Sequence, residues 1–147
     1  AFYLNLGLES LHVRMPRHVE NAQAAAEFLD AQDKVLKVNY PGLPGNRYHG
    51  LAEKYLHGGG CGVVSFELSG GRDAAERFMG KLKLIAIETH VADARSCCLH
   101  PASSTHRQLN ASQLAAAGVA PALIRVSLGL EDREDLLADL KRALEAV

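Results

Sequence analysis

The run ALIRVSLGL, residues 122–130, restricts the fold more than any other stretch of the chain. It is the most apolar strand-like segment, and a strand of this composition needs burial between neighbouring strands and under helices. Alternation puts Ile124, Val126 and Leu128 on one face and Leu123, Arg125 and Ser127 on the other. Arg125 therefore places a guanidinium inside a strand that otherwise has every reason to be buried. An unpaired buried charge costs on the order of several kcal/mol, so Arg125 needs an anion. That anion is either a distant Asp or Glu in a structural ion pair, or a substrate carboxylate held by the guanidinium fork.

The other segments alternate between helix and strand periods. Residues 1–9 read as the tail of a helix. Met15, Val19, Ala22, Ala26 and Leu29 recur at helical spacing over about 11–32, with the main helix beginning near Met15 or bending at Pro16. Strand-like runs follow at 34–40, 61–68, 83–88 and 96–100, and a short helix is expected over 46–56, ended by the glycines 58–60. Asp73 is placed to cap a helix that turns Ala74, Ala75, Phe78, Met79 and Leu82 inward. Asn110 or Ser112 can cap the helix around QLAAA, and Gly118 ends it. The last helix runs from about Asp132 to Ala146 with Leu136, Leu137, Leu140 and Leu144 on one side. Interleaved helices and short strands predict an α/β sandwich: a short, mostly antiparallel sheet with helices mainly on one face.

A length of 147 residues suits one domain. With 16 basic and 17 acidic residues the formal net charge is −1, which argues against a nucleic-acid partner. No apolar run is long enough to span a bilayer, so no membrane partner is expected. Three cysteines without framework spacing suit the reducing cytoplasm. The chain opens on Ala1-Phe2-Tyr3-Leu4, without Met or a capping residue, and reads as part of a longer one.

ARSCCLHPASSTH, residues 94–106, is the most reactive-looking stretch. Adjacent cysteines in a strand point to opposite faces, so Cys97 and Cys98 cannot easily share an ion with His100 and His106, and Cys61 has no ligand beside it. No metal site is expected. There is no Cys-x-x-Cys for redox work, no Ser-His-Asp pattern, and HGGGCG (57–62) lacks the residues of a phosphate cradle. The thiols are expected to pack as small hydrophobes.

Several segments together carry a family resemblance. VNYPGLP, HGLA, GVVSFELSGG, ARSCCLHPASSTH and LIRVSLGLEDREDLLADLKRAL occur in that order, after the lead-in GLESLHVRMPRHVENAQAAAEFL. This resembles the C-terminal part of the pyridoxal-phosphate-dependent enzymes of cysteine and methionine metabolism, over nearly the whole chain. Within that family ADARS, THRQL and QLAAAGV lean toward the O-acetylhomoserine sulfhydrylases, with methionine γ-lyases and cystathionine γ-synthases and lyases nearby.

The resemblance implies a small C-terminal domain of a fold-type I enzyme: a helical lead-in over 1–32 and a sheet-and-helix sandwich over 33–147. It implies that Arg125 grips the α-carboxylate of a small amino-acid substrate, that Ser96 helps to position it, and that Thr105 supports it. The cofactor would be pyridoxal 5'-phosphate, attached to a lysine of an N-terminal domain outside these residues. Lysines 34, 37, 54, 81, 83 and 141 stand in no Ser-x-Thr-Lys-like context, so no catalytic or cofactor-binding residue is expected here and the isolated chain should be inactive. The whole enzyme would be a cytoplasmic homodimer or homotetramer converting O-acetylhomoserine and sulfide or a thiol to homocysteine or methionine. A non-catalytic carboxylate-binding or assembly module is the alternative from another class. Pro16, Cys97, Cys98 and the turn ETHVAD depart from the family pattern.

Overall fold

The computed structural model describes residues 1–56 and 60–147; the expected helix stop at glycines 58 and 59 lies outside them. Five strands, β1 (Val35–Asn39), β2 (Val63–Leu68), β3 (Ala86–Ile87), β4 (Cys97–Leu99) and β5 (Leu123–Ser127), form one sheet in the order β1-β2-β5-β4-β3. The apolar run is thus the middle strand. It pairs antiparallel with both β2 and β4, β1 pairs antiparallel with β2, and only β3 with β4 is parallel.

Helices α1 (Phe2–Glu9), α2 (Leu11–Asp30), α3 (His49–Leu56), α4 (Gly71–Lys81), α5 (Ala111–Ala116) and α6 (Arg133–Leu144) complete the order. Helices α2, α4 and α6 press Ala22, Ala26, Leu29, Phe78, Leu136 and Leu140 onto the sheet face that carries Val64, Phe66, Ile124 and Val126. Phe78 meets Phe66 edge-on at 5.5 Å between ring centroids. The opposite face carries Arg125 and is not part of this core. The expected fold class, an antiparallel-rich sheet with helices on one side, is the one observed.

Several local expectations change. Helix α2 runs unbroken through Pro16. The ring removes one N–H, but both Pro16 and His12, whose carbonyl loses that donor, are exposed, so water can take its place. The buried stripe of α2 is His18, Asn21, Ala22, Ala25, Ala26 and Leu29, with Met15 and Val19 at its margin. Gly70, at φ +90°, caps α4 in place of Asp73, which lies in the first turn. Asn110 forms a capping box with Gln113, and Gly118 at φ +71° follows the end of α5.

Strand β3 is only two residues long, where 83–88 was expected. The reason is Asp139 of α6, 1% exposed, whose carboxylate accepts the backbone N–H groups of Lys83, Leu84 and Ile85 and an Arg142 N–H. Those amides are therefore committed to a helix rather than to a neighbouring strand.

Tyr40 is fully buried and its hydroxyl donates to the Cys61 carbonyl at 3.1 Å. Burial first, then the nearby Cys61 and Glu27, push its phenol up to about 12. A folded pKa above the unfolded value contributes stability that is intact below about pH 10 and is lost as pH rises through about 12. Absorbance at 295 nm will show Tyr40 ionising late, together with unfolding. Replacement by Phe will remove that late step.

Apolar side chains remain exposed in one region above all. No residue of α1 is buried, and Phe2, Tyr3 and Leu4 are 74%, 86% and 76% exposed. Among the described residues no helix is long and apolar enough to cross a membrane.

Candidate carboxylate site

Arg125 stands on the open face of the sheet in a row with Asn39, Ser65 and Leu99 of the neighbouring strands. Its Nη2 donates to the Thr89 carbonyl at 3.0 Å and to the His90 carbonyl at 3.4 Å. Its Nε is buried without a partner. Among the described residues it pairs with no carboxylate. Of the two anions open to this guanidinium, the structural ion pair is not formed. Two carbonyl dipoles orient the fork but leave its charge uncompensated.

The segment carrying those carbonyls is held from both adjoining strands. Ala92 adopts φ +60°, the only non-glycine residue to do so among the described residues, at a cost of about 1 kcal/mol. Its N–H donates to the Ser127 hydroxyl at 3.2 Å, and the Cys97 thiol donates to the His90 carbonyl at 3.0 Å. Cys97, Arg125 and Ser127 lie on the same sheet face, since Cys97 faces Ser127 across the β4–β5 pair.

Ser96 is placed differently from Arg125. It is fully buried, and by alternation it goes with Cys98 toward the helices. Its hydroxyl donates to Glu131 Oε2 at 2.9 Å and accepts the Gly129 N–H at 2.7 Å, while its own N–H donates to Glu131 Oε1. Asn21 donates to the Gly129 and Glu131 carbonyls, and His18 Nδ1 meets the Leu128 carbonyl at 2.6 Å. Ser96 is thus one member of a buried polar knot joining β4, the end of β5 and α2. Gly129 is required there because a Cβ would run into the Ala94 carbonyl oxygen and the Arg95 carbonyl carbon. Thr105 is exposed, its hydroxyl beside His106 Nδ1 at 2.9 Å. Arg125, Ser96 and Thr105 share no hydrogen bond with one another.

The rest of ARSCCLHPASSTH is packing and hydrogen bonding. His100 is buried, with Nδ1 at 2.8 Å from the Ser103 hydroxyl and Nε2 at 2.8 Å from the Pro121 carbonyl. Burial pushes the Cys98 thiol up to about 12 and also raises that of Cys97, which opposes thiolate chemistry at neutral pH. All three cysteines are free.

None of the six lysines fits a cofactor anchor, which needs a desolvated amine facing a pocket. Lys34 donates to the Leu144 carbonyl at 3.0 Å, and the other five lie at the surface. None of these lysines therefore offers the desolvated amine that a covalent anchor for pyridoxal phosphate requires.

Sequence reasoning marked the turn ETHVAD, residues 88–93, as a departure from the family pattern but missed its hydrogen bonds to β5, which span 35 or 36 residues and leave no local pattern. The one available signal was alternation, which puts Ser127 on the Arg125 face.

Known proteins resemble this chain closely. O-acetyl-L-homoserine sulfhydrylase 1 of Thermus thermophilus is 48% identical over 144 residues, 98% of this chain and 34% of the relative. L-methionine gamma-lyase of Pseudomonas putida is 42% identical, over 99% of this chain and 36% of the relative. A crystal structure from Campylobacter jejuni, described as an O-acetylhomoserine (thiol)-lyase with N'-pyridoxyl-lysine-5'-monophosphate, superposes with a TM-score of 0.89 at 42% identity. That match covers 95% of this chain and 33% of the other. The chain thus spans about a third of the length of the relatives it matches. The family model for Cys/Met metabolism PLP-dependent enzymes matches residues 1–145, and the chain belongs to that family.

Proposed function

We propose that this chain is the substrate-carboxylate-binding part of a pyridoxal-phosphate-dependent sulfhydrylase, which converts O-acetylhomoserine and sulfide or a thiol to homocysteine or methionine. The observation that carries the reading is Arg125, a guanidinium in the central strand with an orphaned Nε and no carboxylate partner. Its free edge suits an α-carboxylate, and gripping that group would fix the orientation of the substrate's Cα bonds. The cofactor supplies the electron sink and is bound by residues outside this chain, so no bond-breaking step is assigned here. Ser96 would contribute through the polar knot that sets β4 against the end of β5, and Thr105 from the loop beyond it.

The exposed apolar length of α1 suits a cover, and the rest of the same polypeptide is the proposed occupant, within a cytoplasmic homodimer or homotetramer. A second reading, a methionine γ-lyase, is favoured by the 42% identity to the Pseudomonas putida enzyme. Assays of the full-length enzyme separate the two. O-acetylhomoserine with sulfide is expected to yield homocysteine at a rate well above release of methanethiol from methionine alone. The reverse order would establish the lyase reading.

A further inference from the structure

Three side chains on the open face of the sheet converge on the four-residue segment Thr89–Ala92, which carries the strained Ala92 and whose His90 Nε2 lies 4.0 Å from Glu88. Ser127 takes the Ala92 N–H, Cys97 gives its S–H to the His90 carbonyl, and Arg125 gives Nη2 to the Thr89 and His90 carbonyls. Ser127 is 2% exposed and has this amide as its side-chain partner among the described residues. A non-glycine residue stays at φ +60° only where its surroundings over-determine it, and such positions cluster where geometry serves function.

We infer that Ser127 is a positioning residue for Arg125, acting through the Thr89–Ala92 segment rather than by touching the substrate. The hydroxyl keeps Ala92 in the left-handed region, and that backbone setting aims the Thr89 and His90 carbonyls at Nη2. The carbonyls hold Nη2 and leave Nη1 without a protein partner among the described residues, turned toward an anion. Without the hydroxyl, Ala92 relaxes to negative φ, the carbonyls swing away, and the guanidinium loses its fixed direction while keeping its charge. The inference rests on the reading of Arg125 as the carboxylate-binding residue.

The test is made in the full-length holoenzyme, with KM and kcat for the amino-acid substrate and Ki for a substrate-like inhibitor and its neutral α-carboxamide. Ser127→Ala is expected to raise KM and the inhibitor's Ki about tenfold, to leave kcat within about twofold, and to leave the carboxamide unaffected. Adding Ala92→Gly to Ser127→Ala is expected to restore most of the affinity, because glycine accepts φ +60° without the hydroxyl's help. Should Ser127→Ala fail to fold, Ala92→Val at its exposed position replaces it; a β-branched residue disfavours the left-handed region, so the same rise in KM is expected. Unchanged KM in the folded variant, equal losses for the carboxylate and carboxamide ligands, or no recovery in the double variant would each overturn the inference. Arg125→Ala is run in parallel. If it spares carboxylate affinity, the reading of Arg125 itself fails; if it abolishes that affinity while Ser127→Ala does not, only the positioning role of Ser127 fails.

Discussion

Arg125→Ala in the full-length enzyme will raise KM for the amino-acid substrate about 100-fold, the equivalent of losing a charge-assisted pair of hydrogen bonds to a carboxylate. The effect on stability will be small. In the structure the guanidinium bonds to two backbone carbonyls and to no carboxylate, so removing it breaks no ion pair and relieves a buried, unpaired Nε. Arg125→Lys keeps the charge but not the planar fork and will recover only part of the affinity. Steady-state kinetics beside a thermal melt separate the two roles. A variant that melts much earlier yet binds substrate normally would make Arg125 a structural residue.

The largest stability effect will come from Asp139. Asp139→Ala removes the acceptor shared by the N–H groups of Lys83, Leu84 and Ile85 and leaves Arg142 without its carboxylate. Lys83 and Leu84 are exposed, so water can satisfy their amides, but Ile85 is 2% exposed and its N–H will be stranded. A loss of about 3 kcal/mol is expected, read as a lower urea midpoint at unchanged slope. Asp139→Asn retains one acceptor oxygen and will lose less. A shift under about 0.5 kcal/mol, the range typical of surface substitutions, would mean that the Lys83–Ile85 corner is held by something else.

Asp139 also illustrates why some of this molecule could be read from its sequence and some could not. The central position of β5 follows from its apolar run, the capping box at Asn110 from local chemistry, and the Arg125 problem from one charge in one strand. Each is a property of neighbours in sequence or of a period of two. The true length of β3 depends on a carboxylate more than fifty residues away, which takes the amides a longer strand would have used. The burial of Ser96 depends on Glu131, and the aim of Arg125 depends on carbonyls at 89 and 90. Such contacts join distant residues through single polar atoms and impose no periodicity. The family resemblance pointed to Ser96 and Arg125 together, whereas the hydrogen bonds connect them to different neighbours on opposite sides of the sheet.

The place of β5 also bears on how the domain is made. Strands β1 and β2 can pair early, and β3 and β4 lie next to one another later in the chain, but nothing joins the two pairs until Leu123–Ser127 slides between them. A nascent polypeptide halted before that stretch holds two loose halves with their edges bare, the condition in which chains stick to one another. Assembly is therefore a late event governed by contacts distant in sequence, and chaperone demand will fall sharply once the final strand and the helix after it have left the ribosome.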